Sequence, residues 1–213
     1  MHISNELIRW VIWNTLLAAI PVAAGWAVYA LYRFPRRRTA PIKAAILLFG
    51  IVWFAFMPNT CYLLTEWRHF LDIIGYSNLY AEWYVSKMAA VRLMTYTLFY
   101  MFYSGIGALT FVLSIRPIAR LMRQMRLTLW AWALPFFLLM SLGVYLGLIL
   151  RLNSWDIITR PEFVWSSVVG TLANPGLMFI VVAFAGFLWF VYLVMDIWVD
   201  GFMCRLRGRT GNE

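Results

Sequence analysis

Charged side chains are scarce in this sequence, and acidic ones are scarcer than basic ones. Only 13% of the 213 residues are charged, with nine Asp and Glu residues against 18 Lys and Arg residues, whereas soluble domains carry about 25% charged residues. Histidine and cysteine occur only twice each, and neither Cys61 nor Cys204 has a metal-type partner at close spacing. No Ser–His–Asp order, glycine-rich phosphate loop or paired-histidine motif is present. The sequence therefore predicts no named catalytic mechanism and no metal site.

Hydrophobic residues, by contrast, make up 63% of the chain and fall into long uninterrupted runs. Runs of this length are typical of helices that are apolar on all sides and cross a bilayer. We expect one polytopic all-α membrane domain over residues 1–213, with short interfacial helices between the spans. The predicted transmembrane helices cover about residues 8–32, 42–57, 88–115, 127–150 and 176–199.

The net charge of +9 is distributed unevenly along the chain. Its basic residues cluster after the first and third runs and after the last run, and this asymmetry follows the positive-inside rule for membrane proteins. We therefore expect the N-terminus outside, the C-terminus in the cytoplasm, and no nucleic-acid partner. Contact with anionic lipid is a secondary expectation. The clusters comprise Arg33, Arg36, Arg37, Arg38 and Lys43; Arg116, Arg120, Arg123 and Arg126; and Arg205, Arg207 and Arg209.

Pro58 and Asn59 interrupt the second run, which is short for a membrane span. Either the helix kinks at Pro58 and continues, or it ends there and residues 58–74 turn along the membrane surface or re-enter the bilayer. Beyond this point Glu66, His69 and Asp72 follow at a spacing of three residues, which places them on one broad face of a helix. A carboxylate–imidazole set of this kind can act as acid and base or bind a metal. Because further ligands are lacking, we expect a hydrogen-bonded interfacial set.

A second polar segment follows the fourth run, and we expect it to meet the first at the outer surface. Arg151 in this segment and Arg92 near the start of the third run would pair with the carboxylates of Glu66, Asp72 or Asp156 and fasten the helices together. The alternative is that one of these arginines clamps an anionic lipid headgroup. The complete predicted polar cluster comprises Asn59, Glu66, His69, Asp72, Arg92, Arg151, Asn153, Ser154 and Asp156.

Small residues in two runs predict close helix packing. Gly105 and Gly107 lie midway along the third run, and Gly143 and Gly147 are four residues apart in the fourth. Trp and Tyr, with 12 and 11 copies, are typical of aromatic belts at the membrane surface. Stacking against a pigment, a quinone or another ring is the alternative. No cofactor is identified, and bound lipid and bound pigment both stay open.

Segments 56–66 and 144–156 resemble a bacterial membrane family known as domain of unknown function 1361. The similarity includes the motifs Met57-Pro58-Asn59-Thr60, Trp83-Tyr84 and Arg151-Leu152-Asn153-Ser154-Trp155-Asp156. The resemblance implies a small polytopic protein of the bacterial inner membrane, cytoplasmic or intracytoplasmic, and it implies no activity. The family pattern usually has aspartate in place of Glu66, an acid in place of Val85 and arginine in place of Leu148. These departures weaken any catalytic role for the cluster.

We therefore expect a non-catalytic accessory or scaffold subunit that packs among other integral membrane subunits. A photosynthetic or respiratory assembly is the expected setting. The rival hypothesis is a membrane enzyme or lipid-binding protein with a polar pocket in the outer leaflet. Transport is disfavoured because no charged residue is predicted at mid-membrane, where coupling sites usually lie.

Overall fold

The computed structural model describes residues 5–33, 39–127, 129–152 and 156–210, and these ranges contain α-helices and their connections. Five helices are long and apolar enough to cross a membrane, so the prediction of an all-α, multi-pass membrane protein is confirmed. In chain order the helices are α1 (Asn5–Arg33), α2 (Ala40–Thr65), α3 (Trp67–Tyr76), α4 (Leu79–Glu82), α5 (Lys87–Gln124), α6 (Leu129–Leu148), α7 (Asp156–Thr159), α8 (Pro161–Ala173) and α9 (Pro175–Thr210).

The long helices α1, α2, α5, α6 and α9 alternate in direction, which separates two ends of the bundle. The basic end carries the last turns of α1, α5 and α9 and the first turns of α2 and α6, with Arg33, Arg116, Arg120, Arg123 and Arg126. The polar end carries the α2–α3 junction and the segment between α6 and α8. The described members of the predicted polar cluster therefore occupy the same end.

Helix α2 passes through Pro58 and continues to Thr65, so the second run is longer than the predicted 42–57. Proline is tolerated in membrane helices where other groups satisfy the backbone around it. Here Asn59 Nδ2 donates to the Phe56 carbonyl at 3.2 Å, and Thr60 Oγ1 donates to the Met57 carbonyl at 2.7 Å. Of the two alternatives at Pro58, the continuous helix is the one observed.

Helix α5 likewise runs past the predicted end at residue 115, through Pro117, to Gln124. Most of the basic segment 116–126, which follows the predicted third span, is therefore part of the same helix. Arg116 is only 7% exposed because its guanidinium lies against α9. Its Nη1 is 3.3 Å from Asp196 Oδ1, and its Nη2 donates to Asp200 Oδ1. This pairing allows the helix to carry a buried charge beyond the apolar run.

The remaining predicted spans differ from the observed helices mainly at their ends. Helix α1 begins at Asn5, α6 covers Leu129–Leu148, and α9 extends to Thr210. The end of α9 lies beyond the predicted residue 199 because the helix continues past the apolar segment into the basic tail.

Helices α2, α5, α9 and α6 form a ring in which each contacts the next, and α1 packs against α2 and α5. Helices α5 and α6 face each other across the ring with little direct contact. Apolar side chains of all four helices meet inside it. This core comprises Met57, Cys61, Phe111, Ile115, Ala119, Phe137, Met140, Val144, Ala185 and Leu188.

Close approach of α2 to α5 and α6 depends on glycine at three positions. A Cβ at Gly107 of α5 would lie 2.7 Å from Leu63 Cβ and 3.1 Å from the Leu64 amide nitrogen. A Cβ at Gly147 of α6 would overlap the Tyr62 hydroxyl, and one at Gly143 would lie 3.3 Å from Pro58 Cγ.

Gly105 does not share this packing role, which corrects the prediction for that residue. A Cβ there would meet nothing within 4 Å. The reason is helical periodicity: two residues along a helix turn the side chain by about 200°. Gly105 therefore faces away from the neighbour that Gly107 contacts.

Hydrogen bonds from side chains to backbone carbonyls join the ring helices. Trp53 Nε1 of α2 donates to the Ser114 carbonyl of α5 at 2.8 Å, and Ser141 Oγ of α6 donates to the Val181 carbonyl of α9 at 2.7 Å. Such bonds add to van der Waals packing where lipid supplies no hydrophobic force between helices.

Gly107→Ala is expected to lower the free energy of unfolding by about 1–3 kcal/mol, the typical cost of overpacking. The added methyl group meets the backbone and Cβ of α2, which cannot rotate away. Gly105→Ala is the matched control on the same helix, and it should leave stability unchanged or raise it by up to about 1 kcal/mol through helix propensity. Unfolding of both variants by SDS titration in mixed micelles measures the difference. Equal effects would contradict the proposed α2–α5 contact.

Arg116→Gln is expected to destabilise the basic end by about 1–3 kcal/mol, because it leaves the Asp196 and Asp200 carboxylates without their cation. Arg126→Gln is the control, since Arg126 is exposed and lies at the same end. Amide hydrogen exchange in the last three turns of α9 should increase in the first variant alone. Unchanged exchange in Arg116→Gln would show that the pair does not hold α9.

Candidate functional site

The end of α2 and the start of α3 lie beside the end of α6 at the polar end of the bundle. Tyr62 of α2 contacts Gly147 of α6, and Arg68 of α3 extends over the end of α6. Arg68 Nη1 lies 3.5 Å from the Leu148 carbonyl oxygen, at the outer limit of a hydrogen bond. The parallel course of α2 and α6 therefore determines where polar side chains from distant parts of the sequence can meet.

The principal ionisable pair at this end is Glu66 with His69. Glu66 lies at the turn between α2 and α3 and is 7% exposed. Its Oε2 is 2.6 Å from Nδ1 of His69, whose side chain is 54% exposed. The spacing of three residues brings the groups to one face of α3, as the sequence predicts. A buried carboxylate bonded to an exposed imidazole is an arrangement that can hold and transfer a proton.

Aromatic side chains from α1 and α5 lie beside this pair. The Trp10 ring lies 5.2 Å from the His69 ring and 5.7 Å from the Tyr103 ring, measured between centroids. Tyr103 is 2% exposed, and its hydroxyl, which faces Asn14 and Thr15 of α1, has no hydrogen-bond partner of ordinary geometry among the described residues. A buried hydroxyl left unpaired is costly in a folded protein.

Sequence reasoning did not identify Tyr103, Asn14 or Thr15 as part of this site. Trp10 was assigned only to an aromatic belt. These residues lie on helices far from Glu66 in the chain, and single polar residues within apolar runs form no motif. The only available signal was the depth of Asn14 and Thr15 in the first run, where polar side chains are uncommon.

Asp156 forms a second ion pair in the neighbouring segment. It is 2% exposed, and its Oδ1 accepts bonds from Arg160 Nη2 at 2.8 Å and Nε at 3.2 Å. Thr159 Oγ1 also donates to it, at 3.4 Å. The predicted cluster members Asn153 and Ser154 lie outside the described residues.

The predicted pairing of Arg92 and Arg151 with the carboxylates is not formed. Both arginines and Asp72 are exposed, and the ion pairs at this end of the described chain are local ones, Glu66 with His69 and Asp156 with Arg160. Residues three or four apart on a helix meet without bringing other helices together. These local partners therefore replace the expected cross-links.

A cavity of about 330 Å³ adjoins the site between α2, α6 and α8. Asn59 and Tyr62 are the polar side chains in its lining, and Gly143 and Gly147 lie on the α6 wall. The lining otherwise consists of apolar residues and Pro58, so the cavity suits an apolar or amphipathic molecule. Within the described ranges no group of three or more His, Cys, Asp and Glu side chains is arranged to hold a metal.

Comparison with known proteins yields one finding. The model of the family described as protein of unknown function (DUF1361) matches residues 13–191, a range that contains α2 to α8, most of α1 and the first half of α9. No curated protein and no solved structure matches the chain. Because the match covers most of its length, the chain belongs to the DUF1361 family of proteins of unknown function.

Proposed function

We propose that the chain is a non-catalytic accessory or scaffold subunit of a larger integral membrane assembly. The single observation behind this proposal is the bare face of α9. One side of α9 packs on the bundle through buried Val181, Ala185 and Leu188, while the opposite side is exposed. The exposed face comprises Phe179, Ala183, Gly186, Phe190, Ile197 and Gly201.

The shape of this face suits another membrane helix. Ala183 and Gly186 form a shallow depression between Phe179 and Phe190, which are 74% and 65% exposed. A Cβ at Gly186 would meet nothing within 4 Å, so a partner backbone could approach closely there. Small residues flanked by large ones are typical of helix contacts in membranes.

The charged groups at the polar end also favour a structural role. The buried carboxylates Glu66 and Asp156 pair with His69 and Arg160 beside them. A photosynthetic or respiratory complex in a bacterial inner membrane, cytoplasmic or intracytoplasmic, is the assembly we propose. The positive-inside rule would place the basic end in the cytoplasm.

Gly186→Leu is expected to release the chain from its assembly without unfolding it, because the leucine fills the depression on α9. Native membranes solubilised in digitonin should show the wild-type chain in a large species on native gels. The variant should instead migrate at 24.9 kDa plus detergent. Gly50→Leu is the control, since a Cβ at Gly50 of α2 also meets open space. A wild-type chain that migrates alone would contradict the proposal.

A second candidate function is a membrane enzyme or lipid-binding protein that uses the polar end. It is favoured by the buried Tyr103 hydroxyl near Glu66 and His69, which faces Asn14 and Thr15 but forms no hydrogen bond of ordinary geometry with the described residues. An unpaired buried hydroxyl near an acid–base pair could bond a substrate or a lipid headgroup.

Tyr103→Phe separates the two candidates. Removing an unpaired buried hydroxyl should leave the free energy of unfolding unchanged or raise it by about 1 kcal/mol. A scaffold subunit should then still assemble and complement a deletion strain. The second candidate predicts normal assembly with lost complementation, and it predicts the same loss for His69→Ala. Lost assembly in Tyr103→Phe would contradict both expectations.

A further inference from the structure

A larger cavity, of about 460 Å³, lies inside the helix ring toward the basic end. Its walls come from α2, α5, α6 and α9, and aromatic rings dominate them. The cavity reaches from Trp132 to Leu139 along α6, which corresponds to about 10 Å of helix. The aromatic wall comprises Trp53, Phe54, Trp132, Phe136, Phe137, Trp189 and Tyr192.

The size and lining of this cavity favour a hydrocarbon occupant. Ligand cavities usually measure about 300–1,000 Å³, and water gains little from an apolar space that offers few hydrogen-bond partners. Phe54, Trp132 and Leu139 are 45%, 57% and 51% exposed, so the walls are not sealed. An acyl chain that is already in the bilayer can therefore enter the cavity without crossing water.

The charged side chains at the basic end of the cavity bear on the headgroup that such an occupant would carry. Arg123 and Asp196 are the charged side chains in the lining. The Asp196 carboxylate is paired with Arg116 at 3.3 Å, whereas Arg123 is exposed and forms no ion pair with the described residues. The cavity lining thus includes, at the basic end, one arginine that makes no salt bridge with the described residues.

We propose that this cavity holds one acyl chain of an anionic phospholipid, whose phosphate binds Arg123. The aromatic wall contacts the acyl chain, and the Arg123 guanidinium selects a negative headgroup over a zwitterionic one. The site is separate from the polar end and from the exposed face of α9, so it stands independently of the proposed subunit role.

Native mass spectrometry tests the charge requirement. The purified chain is mixed with equal amounts of phosphatidylglycerol and phosphatidylcholine that carry identical acyl chains. Wild type should retain one phosphatidylglycerol at a collision energy that removes phosphatidylcholine. Arg123→Gln should reduce this preference about five-fold, the effect of one basic residue at an anionic surface. Arg126→Gln, exposed at the same end but outside the cavity lining, should leave the preference unchanged.

A cavity-filling pair tests the location. Ala133→Phe places a ring inside the cavity and should abolish retention of the lipid. Ala131→Phe, on the exposed side of the same helix, should not. Ala133→Leu fills less volume and carries the same expectation if the larger ring prevents folding.

Other results of these experiments would contradict the proposed lipid site. Equal retention of the two lipids, equal loss in Arg123→Gln and Arg126→Gln, or retention in a folded Ala133 variant would overturn the proposal. A quinone or carotenoid that co-purifies with wild type and is lost from Ala133→Phe would assign the cavity to a ring-bearing ligand instead.

Discussion

Helix α2 contacts α1, α5 and α6, and the distances that glycine permits at its surface determine how the bundle assembles. Hydrocarbon surrounds these helices, so burial of apolar area contributes little to their association, and packing must supply the energy. Because Gly107 has no side chain, the backbone of α2 near Leu63 and Leu64 can approach α5 closely. Gly147 likewise leaves space for the ring of Tyr62. The position of α2 against α5 and α6 in turn determines the ring of α2, α5, α9 and α6 and the cavities between these helices.

The same geometry determines which partners the ionisable side chains pair with. The polar end brings two segments together, yet Glu66 and Asp156 bond to side chains three and four residues away. At the basic end the opposite occurs, because Arg116 joins α5 to Asp196 and Asp200 of α9, which are 80 and 84 residues away. The long-range ion pair therefore lies within one of the basic clusters that the sequence indicated.

Hydrophobic runs predicted the existence and order of the membrane helices because each run must bury its backbone polar groups in its own helix. They predicted the helix ends poorly, since helices continue wherever hydrogen bonds allow, whatever the polarity of the side chains. Pro58 left open whether the second helix continues or ends, and it lies inside α2, as Pro117 lies inside α5. The Tyr103 hydroxyl was not identified from the sequence, because the polar side chains that it faces come from α1, which is remote in the chain.

Length, composition and charge distribution by themselves determined that this is a multi-pass helical membrane protein and which residues could be polar partners. The periodicity of one helix also sufficed to pair Glu66 with His69. Tertiary structure alone decided that Gly107 packs while Gly105 does not, that Arg116 rather than Arg92 or Arg151 links helices, and that a cavity with Arg123 in its lining exists. Those properties depend on the rotation and separation of neighbouring helices, which hydrophobicity leaves undetermined because lipid and apolar side chains are nearly equivalent surroundings.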